Sequence, residues 1–129
     1  MGSSFKDRTA WQQAMELALA IYKLTNDFPK DERFGLVNQM RRAAVSVPSN
    51  IAEGYARAST GEYIQFLGHA RGSCSELETQ LILARSLKYG AANNLDEADG
   101  LCTDAGRLLC ALMNSLRAKQ SQVPSPLVP

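Results

Sequence analysis

The chain has 129 residues, a length that makes one domain with a core able to stand alone. At 45% hydrophobic and 21% charged residues it is too apolar for intrinsic disorder, and with 7% aromatics it is lean in strand formers. Its 14 Lys+Arg against 13 Asp+Glu leave a net charge of +1, without the basic excess of a monomeric nucleic-acid binder, although charge can still gather on one face.

Apolar residues recur with helical spacing almost throughout. Trp11, Ala14, Met15, Ala18, Ile21, Tyr22 and Thr25 predict a first helix over 9–27, with Thr9 as N-cap and Phe28-Pro29 as stop. Pro29 suits the first turn of a second helix, 30–58, with Asp31 and Glu32 near its positive dipole end. Its stripe is Leu36, Val37, Met40, Ala43, Ala44, Val47, Ile51 and Tyr55. Pro48 removes one hydrogen bond but leaves the stripe in phase, which predicts one kinked helix rather than two. Ser59-Thr60-Gly61-Glu62 is a capping box opening a third helix, 60–89. Tyr63, Phe66, Leu67, Ala70, Cys74, Leu77, Leu81 and Ala84 form its stripe, and Gly90 its stop. Asn94-Leu95-Asp96-Glu97 opens a fourth helix, 95–119, burying Leu101, Cys102, Ala105, Leu108, Leu109, Leu112 and Leu116. Residues 120–129 carry three prolines without periodicity and are expected to be a disordered tail. The expectation is therefore an all-α, antiparallel up-down-up-down four-helix bundle in a single domain spanning 1–119.

Cys74, Cys102 and Cys110 do not form a disulfide framework and are expected to be buried free thiols. The stretch from Met1 to Lys6 is no signal peptide, and no apolar run approaches the ~20 residues of a membrane span, so a cytoplasmic location is expected.

The first helix carries more apolar surface than one core face requires. Leu17 and Leu24 lie to one side of the chosen stripe and Leu19 to the other, which predicts self-association through these leucines. On the second helix Arg42, Ser46, Ser49, Asn50, Glu53 and Arg57 gather away from the core, with Glu53 and Arg57 spaced for an i,i+4 ion pair. This is either a solvated face or, flanked by Ala43, Ala52 and Gly54, a subunit contact that includes Ser46, Asn50 and Glu53. Gly68 and Gly72 inside the third helix suggest close helix packing.

No catalytic constellation is legible. The single histidine, His69, rules out a di-iron bundle, the scattered cysteines make no zinc site, and no phosphate-binding loop occurs. Neither a cofactor nor a metal is expected. Glu53, Glu76 and Glu78 read as structural ion-pair partners, and a hydrolase using His69 is the weakest reading. Arg41, Arg42 and Arg57 are the candidate surface for nucleic acid or for a protein that handles it, because patches repeated around an oligomer sum. The alternative is a bundle holding a small apolar ligand between its helices.

The run Gln39-Met40-Arg41-Arg42-Ala43-Ala44-Val45-Ser46-Val47-Pro48-Ser49-Asn50-Ile51-Ala52-Glu53-Gly54, followed by Arg57, resembles the signature of the bacterial four helix bundle proteins, also called 23S rRNA intervening-sequence proteins. Trp11, Ala14, Tyr22, Phe28-Pro29, Glu32 and Gly35-Leu36 before it, and Phe66-Leu67, Ala70, Gly72-Ser73 and Glu76 after it, extend the likeness over most of positions 5 to 90. The resemblance implies a four-helix bundle assembled as a homopentamer, with no established catalytic activity. Founding members are encoded within insertions in ribosomal RNA genes. A related branch includes the accessory protein of diversity-generating retroelements, which binds nucleic acid and a reverse transcriptase. The reading is thus a non-enzymatic, homo-oligomeric interaction protein.

Overall fold

The structure, a computed structural model, describes residues 5–121. Residues 120–121 belong to the last helix, and the rest of the expected tail, 122–129, lies outside the described residues. Four α-helices and no strand are found among the described residues: α1 (Phe5–Thr25), α2 (Leu36–Tyr55), α3 (Thr60–Ser86) and α4 (Ala92–Ser121). Helices α1 and α3 each rest on α2 and α4, closing a four-helix bundle.

Local chemistry sets most helix ends. The hydroxyl of Ser59 accepts the Glu62 N–H at 3.2 Å and donates to the Glu62 carboxylate at 3.3 Å, so the capping box operates at the start of α3. Residues 30–35 do not join α2. Lys30–Glu32 form a 3-10 turn, and the Glu32 carboxylate accepts the first N–H of α2, from Leu36, at 3.3 Å. An acidic group at that helix end also complements the dipole. The other predicted starts move outward: Thr9 sits one turn inside α1, and Asn94 lies inside α4. Helix α2 continues through Pro48 to Tyr55.

The end of α3 differs from expectation in which residue turns the chain. Lys88, not Gly90, takes the left-handed conformation next to the helix, at φ 61°, with the Tyr89 N–H bonded back to the Ala84 carbonyl. Gly90, at φ 77°, serves a second purpose. A Cβ there would meet Leu24 Cδ1 at 2.7 Å and Phe28 Cε1 at 3.0 Å, so the bare backbone closes the bundle over α1. Tyr89 packs against Phe28 in a tilted ring contact with centroids 5.4 Å apart and donates a hydrogen bond to Glu32 at 3.1 Å.

The core corrects the reading of α1. Leu17 and Leu24, expected as surplus surface, are fully buried in the single chain, whereas Trp11, Met15 and Tyr22, assigned to the core, are exposed. The reason lies in the helix itself. Ala10, Ala14, Leu17, Ile21 and Leu24 form one line at alternating spacings of four and three, and Trp11, Met15, Ala18, Tyr22 and Thr25 form a second line beside it. The bundle buries the first, with narrow Ala and Leu side chains, and leaves the wide aromatic rings at the edge. The α2 stripe is buried as read except for half-buried Tyr55, and the α3 stripe except for half-buried Phe66. In α4 the expected Leu101 and Leu108 are only half-buried, while Leu95, Ala98 and Met113 join the core. Each fully buried leucine contributes about 1.5–3 kcal/mol of burial free energy.

Candidate interaction surface

The second line of α1 and the outer edge of α2 together make an apolar stripe on the surface. Trp11, Met15 and Tyr22 are 42%, 38% and 43% exposed, and Val45 on α2 is 44% exposed. Ala18, Pro48 and Ala52 line the shallow groove between them, small or ring-closed residues that let the two helices approach without filling the surface above. A single exposed leucine means little, but a continuous stripe across two helices does. Leu19, the one expected interface leucine that stays at the surface, is 67% exposed and lies on the α4 side of α1, beside Ala20, Lys23 and Leu101.

The arginines do not form one patch. Arg41 is held at the end of the groove: its guanidinium sits 4.6 Å from the Tyr22 ring centre and donates to Thr25 Oγ1 at 2.9 Å and Asn26 Oδ1 at 3.4 Å. Thr25 in turn donates to the Ile21 carbonyl at 2.7 Å, so the whole contact is anchored to α1. Arg57 stands beyond the opposite end of α2, roughly 24 Å away at 1.5 Å rise per residue. It pairs with Glu53 at 2.9 Å, as the i,i+4 spacing predicts, and stacks 4.6 Å over Phe66. Arg42 is exposed and unpaired among the described residues, flanking the groove beside Asn38 and Ser46.

Ser46 and Asn50 are spent inside the chain. The Ser73 hydroxyl of α3 donates to Ser46 Oγ at 2.9 Å, and Asn50 Nδ2 donates to the Ser46 carbonyl at 2.8 Å and to its hydroxyl at 2.9 Å. This half-buried cluster pins α2 to α3. Gly54 marks another close approach of the same two helices, not an open face, since a Cβ there would lie 2.6 Å from Phe66 Cβ.

At the far end of the groove, Asp7, Arg8, Trp11, Ile51, Tyr55 and Tyr63 surround a cleft of about 240 Å³. Tyr63 forms its floor, fully buried, donating to Asp7 Oδ1 at 2.5 Å and meeting Tyr55 edge-on at 5.9 Å. Burial first, and then the bond to the Asp7 carboxylate, push the Tyr63 phenol far above its ordinary range. The folded chain therefore keeps a proton that the unfolded chain releases near pH 10. This contribution to stability is complete below about pH 10 and is lost as pH rises towards the folded-state value. Tyr63→Phe should cost about 1–2 kcal/mol at neutral pH. It should also flatten the decline in stability above pH 10, measured by urea unfolding between pH 7 and 11; an equally steep decline refutes the assignment.

The remaining candidate groups show no assembled chemistry. His69 is exposed and meets the Phe66 ring edge at 5.8 Å. Cys74 and Cys102 are buried free thiols, and Cys102 Sγ donates to the Cys74 carbonyl at 3.3 Å. Hydrogen bonding with Cys74 and burial raise the Cys102 thiol far above its ordinary range, so it is held protonated. Cys110 is only half-buried, correcting its assignment to the core. Among the described residues no group of three His, Cys, Asp or Glu side chains is placed to hold a metal ion. No described helix is long and apolar enough to cross a membrane.

Fold and surface thus define a four-helix bundle protein whose prominent feature is an aromatic-edged apolar groove. The family model of the 23S rRNA-intervening sequence protein matches residues 6–111, and the chain belongs to that family. A solved structure of similar fold is a protein of unknown function from the S23 ribosomal protein family of Bacteroides thetaiotaomicron. It is 22% identical with a TM-score of 0.78, over 85% of this chain and 99% of that one. Among curated proteins none is significantly similar to this chain.

Proposed function

We propose that this chain is a non-enzymatic cytoplasmic interaction protein that works as a homo-oligomer, a ring of five copies, and offers a repeated cationic edge to nucleic acid or to a protein that handles it. One observation carries the reading: the stripe of Met15, Tyr22 and Val45 is apolar, continuous across α1 and α2, and uncovered in the single chain. A second apolar area, Ile82, Leu83 and Leu87, lies at the end of α3. Two different patches on one chain favour a head-to-tail contact, which closes into a ring when the rotation permits. The family resemblance supplies the number five.

Within that assembly Arg42 is the arginine left to act on phosphate, because Arg41 and Arg57 are engaged within their own chain. A single arginine per copy gives little affinity; repeated around a ring, it engages many phosphates at once.

Light scattering on the purified chain tests the assembly. Val45→Glu should convert the oligomer to a monomer of unchanged helicity, whereas an unmodified chain that is already monomeric at micromolar concentration overturns the ring. Titration with labelled RNA and duplex DNA tests the cationic edge. Binding should weaken steeply with salt and be lost in Arg42→Ala, and no binding at low salt refutes this part of the reading.

A further inference from the structure

The cleft beyond Trp11 is distinct in character from the groove it adjoins. It is walled by two aromatic side chains, Trp11 and Tyr55, floored by Tyr63, and given a polar rim by Arg8. Aromatic-lined clefts are the usual receptors for proline-rich segments, whose rings pack against aromatic faces and whose backbone is extended before it binds. Such a segment loses little conformational entropy on docking, and its prolines bring no N–H donors that would need partners on an apolar wall.

The chain itself carries such a segment. Residues 122–129 read Gln122-Val123-Pro124-Ser125-Pro126-Leu127-Val128-Pro129, with three prolines, three aliphatic residues and no charge. The point from which it departs is also known. The last turns of α4 lie against the first turn of α3, where Gln120 Nε2 is 3.6 Å from the position of a Cβ on Gly61. Tyr63, two residues along, is the floor of the cleft. The distance to be crossed is short, because neighbouring helix axes lie about 8–10 Å apart and diagonal ones about 14 Å. In a polyproline conformation residues 122–129 reach about 25 Å at 3.1 Å per residue.

We propose that residues 122–129 dock on the aromatic cleft of their own chain, with the prolines against Trp11 and Tyr55. The strap covers the Trp11 end of the apolar stripe and leaves the Met15, Tyr22 and Val45 part open. A tether this short gives an effective concentration on the order of millimolar, so even a weak contact is occupied within one chain.

Trp11 is the only tryptophan, so its fluorescence reads the cleft directly. The measurement compares the full chain with a chain ending at Ser121, both on the Val45→Glu background so that association of copies does not intervene, with circular dichroism confirming equal helicity. Removing the segment should shift Trp11 emission to the red and increase its quenching by acrylamide. Adding the synthetic peptide 122–129 at about millimolar concentration should reverse both changes. Leu127→Ser together with Pro126→Ala in the full-length chain should reproduce the truncation. Unchanged emission and quenching after truncation overturn the proposal. So does a difference that grows with protein concentration, which would assign the docked segment to a neighbouring copy.

Discussion

Leu17→Ala and Leu24→Ala are each expected to destabilise the folded chain by about 3–4 kcal/mol, while Leu19→Ala changes stability by less than about 0.5 kcal/mol. Leu17 and Leu24 are fully enclosed by the bundle, so truncation removes their transfer free energy and leaves a cavity that the surrounding helices fill only in part. Leu19 is two-thirds exposed and loses little. Urea unfolding at equal protein concentration separates the three. A domain of this size has roughly 5–15 kcal/mol in total, so the double variant Leu17→Ala/Leu24→Ala, losing about 6–8 kcal/mol, should unfold at much lower urea than the unmodified chain. If the leucines served only to join subunits, their truncation would instead change the mass in solution and leave a helical monomer of ordinary stability.

The second large effect concerns two glycines in helices, with opposite signs. Gly54→Ala should destabilise by about 1–3 kcal/mol, because the new methyl group would stand 2.6 Å from Phe66 Cβ and 3.0 Å from Tyr63 Cδ1. Phe66 Cβ is fixed by the backbone of α3, so relief requires α2 and α3 to separate. Separation would also strain the Tyr63–Asp7 bond and the Arg57–Phe66 stack. Gly72→Ala, by contrast, adds a methyl group where nothing lies within 4 Å and should stabilise by about 1 kcal/mol through helix propensity alone. Thermal unfolding of the pair tests this; Gly54→Ala raising the melting temperature as much as Gly72→Ala would show that α2 and α3 are not in close contact. The same comparison divides the α3 glycines expected to mark close packing. A Cβ on Gly68 would lie 3.8 Å from Met113 Cε across the seam with α4, but one on Gly72 would meet nothing within 4 Å.

Polar clusters were legible in the sequence only where they are local. The Glu53–Arg57 pair and the Ser59 capping box connect residues three or four apart on one helix, so spacing alone predicts them. Ser46–Ser73, Arg41–Thr25 and Tyr63–Asp7 join residues far apart in sequence. No spacing rule reaches those contacts, which explains why Ser46 and Arg41 read as outward-facing groups. The aromatic cleft is of the same kind, since α1, α2 and α3 each contribute to it.

The sequence by itself determined that the chain is helical, how many helices it makes, where α3 begins and which stripes of α2 and α3 face inward. Those properties follow from a period of 3.6 residues and from side chains that cap neighbouring backbone groups. Only the tertiary structure decided which of the two apolar lines of α1 became core. Either line satisfies the period. The choice turned on width: Ala10, Ala14, Leu17, Ile21 and Leu24 fit between α2 and α4, and the rings of Trp11 and Tyr22 are too broad for that space. They were left at the edge of α2, where they border the apolar groove between α1 and α2.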